Sequence, residues 1–312
     1  MKATVLVGAI LCAVLAVHAS PRFGVAQPAA PVEGWATLTP MPTARQEISV
    51  AVLDGKVFVI AGYDSRGAST DTVEVYDPRT DTWRSVAPLP IATNHNAAAT
   101  VNGKLYAFGG TTPRAFVYDG ARDAWSEIAS MRLTHGGTPA VAVIGGKIYV
   151  AGGIGPGMVG NEVELYDPAA NTWRTLAPMN VPRNHTAGGA IGGRFYVVGG
   201  RGSPLASTAL EVYDPAANRW TVLASMPTGR SGIAAGVVGD RLYVFGGELP
   251  RLFGEVEVYD PAKNSWRQLD PMPVPRHGIF AGVIGTAIYL PGGGVRQGLG
   301  ATNVNAVFRV RP

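Results

Sequence analysis

The sequence predicts an all-β fold, a six-bladed β-propeller with four strands in each blade. A ten-residue string, EVYDPAANRW at 211–220, recurs with small changes at 74–83, 164–173 and 257–266. Six tryptophans are spaced 42 to 48 residues apart, which is a repeat length typical of propeller blades. With 41 glycines, 24 prolines and only 15% charged residues, the composition favours strands and turns over long helices.

Each repeat contains four short segments with the signals of β-strands. The segments alternate apolar and polar residues and are bounded by Gly, Pro, Asn or Asp. A run of small residues, such as AVAVIGG at 140–146, suits an innermost strand, where a narrow central axis leaves little room for side chains. The next segment, such as KIYVAGG at 147–153, ends in Gly-Gly, where the backbone must turn sharply.

The repeated ten-residue string is predicted to be the hairpin between the third and outermost strands. Its Asp-Pro begins a tight turn, because Asp can bond the backbone two residues on and Pro presets its own φ. The tryptophan that follows opens the outermost strand and is predicted to fill the wedge between neighbouring blades. The string recurs because the same junction must be built in each blade.

The two ends of the repeat region predict how the ring closes. The last repeat has three predicted strands and ends in NAVFRVRP, without the Tyr-Asp-Pro string or a tryptophan. The segment GWATLTPM at 34–41 is a lone outermost strand with no repeat before it. Pairing the two completes the sixth blade and removes the open edges of an unclosed sheet.

The residues before the repeats predict export. Lys2, the apolar run from Ala3 to Val17 and the small-residue site before Ser20 predict a signal peptide over 1–19. The alternative is an uncleaved anchor, although the run is short for a membrane span. Residues 20–34 are predicted to be a flexible Pro- and Ala-rich leader, and 35–312 the propeller. The only cysteine lies in the signal segment, so the mature chain needs no disulfide in an oxidising compartment. We expect a secreted protein, extracellular or periplasmic, without a membrane span after cleavage.

The repeats resemble the Kelch-repeat family over 35–312. The resemblance is carried by the tryptophans, by a tyrosine before each downstream tryptophan, and by paired glycines at 109–110, 152–153, 199–200, 246–247 and 292–293. Three repeats depart from the pattern: the first has Ala-Gly at 61–62, the second has the turn YDGARDAW, and the last lacks the string. The resemblance implies a propeller, and Kelch propellers are often closed by strands from both ends of the chain.

The loops at the ends of a propeller channel are the expected place for binding. Two sets should share one face: the inner-strand loops, which lead into the innermost strands, and the Gly-Gly loops, which follow the paired glycines. The inner-strand loops contain every histidine of the mature chain and four arginines in the string M-x-x-x-R. The candidate ligand-binding residues are Arg45, Glu47, His95, Arg183, His185, Arg230, Arg276 and His277 from the first set, and Arg66, Arg114, Arg201, Glu248 and Arg251 from the second.

The arginines leave two interpretations open. Arginines at a fixed place in a repeat can be structural and bond loop carbonyls, and the arginines that do not recur can be solvated surface charges. Alternatively, a group of arginines at a channel mouth attracts anions, since guanidinium groups bind carboxylates and phosphates bidentately. The expected partner is a protein, peptide or glycan, possibly anionic.

No cofactor, metal or nucleic acid is predicted. His95 and His185 occupy matching positions two blades apart and are expected to diverge around the channel, whereas metal ligands must converge on one ion. No metalloprotease, phosphate-loop or calcium-loop string occurs. The formal charge of +4 is scattered, with no basic run that suggests a nucleic-acid arm.

The Kelch resemblance implies several classes of function. Many members are binding modules; some are copper oxidases with a Cys–Tyr cross-link, which a mature chain without cysteine does not support. Others are exported bacterial sugar mutarotases with six blades. We predict a binding module, and the alternative is a cofactor-free mutarotase or epimerase with Glu47, His185 and Glu248 as acid and base candidates. A deep pocket in which Glu47 faces His185 would favour the enzyme.

Overall fold

The computed structural model describes Met1 and residues 34–203 and 205–311, and the predicted signal peptide and leader lie almost wholly outside them. The described residues form no helix, so none of them makes a helix that could cross a membrane. They form six antiparallel four-stranded sheets, the blades of a propeller. The innermost strand of each blade contacts the innermost strands of the next and the preceding blade, so the blades close into a ring. The predicted fold is confirmed.

The strands are numbered along the chain, and each blade runs from its innermost to its outermost strand. Strand β1 (Gly34–Leu38) belongs to the last blade. Blade I contains β2 (Ser49–Leu53), β3 (Lys56–Ile60), β4 (Val73–Asp77) and β5 (Thr82–Val86). Blade II contains β6 (Ala97–Val101), β7 (Lys104–Phe108), β8 (Ala115–Asp119) and β9 (Ala124–Ile128). Blade III contains β10 (Ala140–Ile144), β11 (Lys147–Ala151), β12 (Val163–Asp167) and β13 (Thr172–Thr175).

The second half of the chain repeats this order. Blade IV contains β15 (Ala187–Ile191), β16 (Arg194–Val198), β18 (Leu210–Asp214) and β19 (Arg219–Val222). Blade V contains β20 (Ala234–Val238), β21 (Arg241–Phe245), β22 (Val256–Asp260) and β23 (Ser265–Leu269). Blade VI contains β24 (Gly282–Ile284), β25 (Ala287–Pro291), β26 (Asn305–Arg309) and β1. Two short strands, β14 (Arg183–Asn184) and β17 (Arg201–Gly202), pair above blade IV.

The innermost strands surround a central channel and carry the small residues that the sequence places there. A cavity of about 280 Å³ lies among them, lined mainly by Ala, Val and Gly side chains. The hydrophobic core lies outside the channel, as six clusters of buried aliphatic and aromatic residues. The blades are therefore held together by packing between their faces, and the channel stays open for polar groups at its ends.

The sixth blade closes as the sequence predicts. Strand β1 pairs antiparallel with β26 over its full length, from Gly34 opposite Arg309 to Leu38 opposite Asn305. The ring of Trp35 lies 5.1 Å from that of Phe308 and 5.8 Å from that of Phe245 in blade V. The first and last strands of the ring thus form one sheet, and Trp35 packs in the wedge between two blades.

The turn between the third and outermost strands also joins blades I to V to the preceding blade by hydrogen bonds. In blade III, the Asn171 side-chain oxygen accepts hydrogen bonds from the Tyr166 hydroxyl at 2.8 Å and from the backbone N–H of Ala129 in blade II at 3.0 Å. The indole of Trp173 donates to the carbonyl of the same Ala129 at 2.8 Å. Ala129 of the neighbouring blade therefore forms hydrogen bonds with blade III through both its N–H and its C=O. Blades I, II, IV and V repeat the contact through Asp81, Asp123, Asn218 and Asn264.

Candidate functional site at the channel mouth

The recurring arginines of M-x-x-x-R lie inside the blades. Three of them have guanidinium groups that contact a buried glutamate of the third strand, at 2.8 Å for Arg45 and 2.6 Å for Arg183. Their side chains are at most 1% exposed. They are closed off from a ligand on the loop face, so the structural interpretation holds for them and the ligand-binding one does not. The pairs are Arg45–Glu74, Arg183–Glu211 and Arg230–Glu257.

The other blades vary this pair. Arg276 in blade VI has Ala306 where the glutamate would stand, and it donates instead to the carbonyls of Leu290 at 2.8 Å and Gly292 at 2.6 Å. Burial without a carboxylate lowers the pKa of Arg276 to about 10. Arg276 is 1% exposed and likewise cannot reach a ligand. In blade III, the fully buried His135 replaces the arginine, with Nε2 3.2 Å from Glu164 Oε2.

Two residues after each of these five positions, and two residues after Thr93 in blade II, the inner-strand loops contribute one residue each. These six residues form a ring around the channel. Every ring position has a positive φ, between 51° and 64°. The backbone N–H of one ring residue donates to the carbonyl of the preceding one, with five such hydrogen bonds of 2.5–3.0 Å. The ring positions, in chain order, are Glu47, His95, Gly137, His185, Gly232 and Gly278.

The three ring positions that carry side chains are conformational exceptions. A left-handed backbone suits glycine, and glycine occupies the ring in blades III, V and VI. Glu47, His95 and His185 adopt the same conformation with φ of 51–52°, which is uncommon for residues other than glycine. Gly278 makes room for one of them, since a Cβ there would lie 2.5 Å from Glu47 Oε1.

The side chains of these three residues converge. The rings of His95 and His185 have centroids 4.9 Å apart. One possible ligand atom from each of Glu47, His95 and His185 lies within 4.8 Å of the others. The expectation that the two histidines diverge around the channel is therefore wrong. The ring is only six residues in circumference, and Gly137 between the histidines has no side chain to separate them.

Glu47 lies at the centre of the charges in this site. Its Oε2 is 3.3 Å from His95 Nε2, and its Oε1 is 3.5 Å from His277 Nδ1. Burial raises the pKa of Glu47, but the contacts with His95, His277 and His185 together lower it by more. The net effect is a pKa below the usual range. Glu47 is thus a buried carboxylate. The carboxylate of Glu248 lies 3.4 Å from the same nitrogen, His277 Nδ1.

The histidines differ in charge. Burial lowers the pKa of His95, and it lowers that of His185 to about 3, so both rings are neutral near pH 7. Burial also disfavours the charged form of His277, but its contacts with Glu47 and Glu248 outweigh burial and raise its pKa. The contacts thus favour the charged form of His277 beside two buried carboxylates, whereas burial favours the neutral forms of His95 and His185.

An open cavity of about 460 Å³ lies over one side of the ring. Its polar lining includes Tyr63, His95, His185 and Arg201, and Arg201 is the only lysine or arginine among the lining residues. The loop at 295–300 covers the other side: Gln46 bonds the backbone of this loop, and Gly298 N–H donates to Glu248 at 3.1 Å. Glu47, Glu248 and His277 are thereby enclosed, while His95, His185 and Arg201 remain accessible.

The non-recurring arginines other than Arg201 do not join this site. Arg66 and Arg251 are exposed and pair with carboxylates of their own loops, Asp64 and Glu255. Arg114 pairs with Glu127 at 2.7 Å, and neither of these two side chains is buried. The predicted Arg-rich face is therefore a set of paired charges, and Arg201 is the arginine that reaches the cavity.

Exposed apolar residues lie on the same set of loops, and one of them, Ile154, lines the cavity. They lie in the Gly-Gly loops of blades III, IV and VI, and 43–71% of their surface is exposed. Sequence reasoning did not single them out, because isolated apolar loop residues are common. They are Ile154, Val159, Leu205, Val295 and Leu299.

Comparisons with known proteins agree with the architecture. The family model described as the KLHDC2/KLHL20/DRC7 Kelch-repeats domain matches residues 97–293, more than half of the chain, and the Kelch motif matches 44–90. Human Kelch-like protein 21 is 30% identical over 192 residues, which cover 48% of this chain and 32% of that protein. Beta-scruin of Limulus polyphemus is 28% identical over 159 residues, which cover 49% of this chain and 13% of that protein.

These curated relatives are much longer than the shared region, and this chain spans a third or less of their length. A solved structure described as "Structure of YjhT" superposes with a TM-score of 0.76 and 16% identity, covering 88% of this chain and 98% of that one. At this identity the likeness concerns the fold alone. The matched family models, the repeated glycine pairs and the six closed blades lead to one conclusion: the chain belongs to the Kelch-repeat family.

Proposed function

We propose that this protein is a binding module whose loop face holds a protein, peptide or glycan, with a polar group of that ligand in the cavity beside His95, His185 and Arg201. One observation carries the proposal. Three ring positions keep side chains in a conformation that favours glycine, and two of those side chains line an open cavity. Non-glycine residues in this conformation also occur in the turns of this protein, but His95 and His185 combine it with a place in the cavity lining beside a buried carboxylate.

The lining supports an anionic group as the one that enters. Arg201 has a side chain 26% exposed, and its nearest approach to Glu248 is 3.6 Å, longer than a hydrogen bond. A carboxylate in the cavity would accept charged hydrogen bonds from this guanidinium. Ile154 in the cavity lining suits the uncharged part of the same ligand, since binding sites combine apolar walls with a few polar groups.

The binding test starts from an array of sugars, glycans and short peptides, with neutral and carboxylate-bearing members in matched pairs. The tightest compound is then titrated by calorimetry. A charged hydrogen bond contributes about 1.5–3 kcal/mol, so Arg201→Ala is expected to weaken binding by roughly 10- to 100-fold. Added salt should weaken binding to the unchanged chain as well, since partly exposed charges are screened.

Arg114→Ala is the matched control. It removes an arginine from the same face, but one that pairs with Glu127 outside the cavity. The control should leave affinity unchanged. Equal losses in the two variants, or a preference for neutral array members, would contradict the proposed cavity and its anionic preference.

A second candidate function rests on a different contact. Glu47 Oε2 and His95 Nε2 are 3.3 Å apart beneath the cavity, and His95, which lines the cavity, is a neutral imidazole that can take a proton from a substrate hydroxyl. This geometry favours a sugar mutarotase or epimerase. NMR exchange between the anomers of the array sugars distinguishes the two functions: an enzyme speeds exchange and Glu47→Gln abolishes the acceleration, whereas a binder leaves the exchange rate unchanged.

We also propose that residues 1–19 are a cleaved signal peptide and that the mature protein is secreted, to the periplasm or the medium. The support is Lys2, the apolar run that follows and the small-residue site before Ser20. Mass spectrometry of the protein from its native host should show a chain that begins at Ser20 or a few residues later. Recovery of the intact chain from Met1 in a membrane fraction would favour the anchor instead.

A further inference from the structure

The ring leaves one buried oxygen without a hydrogen bond. Glu47 is 3% exposed, and its Oε2 has no hydrogen-bond partner among the described residues. It lies 3.3 Å from His95 Nε2, but the two atoms do not meet in hydrogen-bond geometry. Leaving a buried polar atom unsatisfied is costly, and such atoms in native proteins often mark a bound ion or water.

The tautomer of His95 makes this contact unfavourable by itself. His95 Nδ1 contacts the side-chain oxygen of Asn94, whose amide nitrogen donates to Ser69 at 2.7 Å. An amide oxygen only accepts hydrogen bonds, so Nδ1 carries the proton of the neutral ring and Nε2 carries a lone pair. The lone pair of His95 therefore faces the carboxylate of Glu47, and a cation between them would satisfy both.

Blade IV repeats this arrangement. His185 also follows an asparagine, and its Nδ1 lies 2.5 Å from the Asn184 side-chain oxygen. Histidines that bind metals almost always donate their other ring N–H to an oxygen, which fixes the tautomer and orients the ring. The dipeptide Asn-His thus supplies the same orienting hydrogen bond twice, on either side of Gly137.

We propose that Glu47, His95 and His185 bind one divalent transition-metal ion at the floor of the cavity. Two imidazole nitrogens with one carboxylate oxygen suit Zn²⁺, Cu²⁺, Ni²⁺ or Fe²⁺, whereas Ca²⁺ and Mg²⁺ take oxygen ligands. Three protein ligands leave a coordination position free. That position faces the cavity, because both histidines line it, and water or a ligand atom would complete the coordination.

A neighbouring group of three residues does not compete for the ion. Ligand atoms of Glu47, Glu248 and His277 also lie within 4.8 Å of one another. However, His277 Nε2 donates to the carbonyl of Arg296 at 2.9 Å, and Nδ1 lies between two carboxylates at 3.4 and 3.5 Å. This second group is enclosed beneath the loop at 295–300, whereas His95 and His185 line the open cavity through which an ion can enter.

The test is a calorimetric titration of metal-stripped, tag-free protein with Zn²⁺. One ion per chain is expected. Loss of the hydrogen bond that orients a metal-binding histidine costs about 10- to 100-fold in affinity, so loss of a ligand itself in Glu47→Gln or His185→Gln should cost more than about 100-fold. The matched control Glu248→Gln removes a carboxylate beside the same group and should change the affinity by less than about 10-fold.

Three results would overturn the assignment: no Zn²⁺ binding by the unchanged chain, unchanged binding by Glu47→Gln and His185→Gln, or loss of binding in Glu248→Gln. A measurement on the unchanged chain covers the case in which a variant fails to fold. Cu²⁺ bound to it should show coupling to two imidazole nitrogens in its electron paramagnetic resonance spectrum. A spectrum without nitrogen coupling contradicts the site whatever the variants do. None of these readouts depends on the proposed ligand.

Discussion

Replacement of Glu211 by glutamine is expected to lower the free energy of unfolding by about 3–5 kcal/mol, because it leaves the buried guanidinium of Arg183 without its counter-charge. Both side chains are 0% exposed, and Arg183 Nη1 lies 2.6 Å from Glu211 Oε1. Glu211 also accepts hydrogen bonds from the backbone N–H groups of Asn180 and Val181, which glutamine can satisfy only in part. The measurement is chemical denaturation of the unchanged protein and of the Glu211→Gln variant.

The exposed pair between Arg114 and Glu127 provides the control. It has the same residue types and a similar distance of 2.7 Å, but its side chains are 39% and 46% exposed. Exposed ion pairs contribute about 0–1 kcal/mol, so Glu127→Gln should change the free energy of unfolding by no more than that. A loss of the same size in both variants would contradict the view that the recurring arginines act by burial inside the blades.

Deletion of residues 35–42 is expected to destabilise the whole propeller. It removes β1, exposes the edge of β26 and takes Trp35 from between Phe245 and Phe308. Loss of a large buried aromatic alone costs about 3–5 kcal/mol, a substantial part of the stability of an ordinary domain. An unpaired edge strand also invites association with other chains. The expected result is a lower melting temperature with aggregation.

The control for this deletion removes residues 20–33, which precede β1. That truncation should leave the melting temperature unchanged, because it keeps every pairing between β1 and β26. A deletion of 35–42 that melted at the same temperature as the unchanged chain would show that closure contributes nothing to stability.

Most of the fold could be predicted because the sequence pattern of a blade recurs along the chain. The small residues of β6 and β15, the glycine pairs and the position of Trp35 each follow from local physical demands that single residues reveal. The hydrogen bonds between blades were not predictable in detail. Asn171 looks like an ordinary turn residue, and its bond to Ala129 joins residues 42 apart, a distance that no local pattern encodes.

The candidate site was predicted in part, and burial explains the difference. Glu47, His95 and His185 were singled out by residue type and position, but Arg45 and Arg183 were singled out by the same reasoning and are buried. The sequence shows that the arginine recurs and that a glutamate begins the ten-residue string, but it does not show that the two side chains meet inside the blade. The convergence of the histidines depends on Gly137, whose meaning appears only when the six inner-strand loops are aligned.

The left-handed ring separates the side chains that face the channel mouth from those that stabilise the blades. Each blade contributes one ring residue, and two residues earlier it contributes the position occupied by a buried arginine in four blades. A change at Arg183 disturbs a charge inside the blade, whereas the ring residue His185 lines the cavity at the channel mouth. The ring residues Glu, His, Gly, His, Gly and Gly therefore determine the chemistry of the channel mouth. Replacing His185 would alter that chemistry and leave the ion pair of Arg183 and Glu211 in the same blade in place.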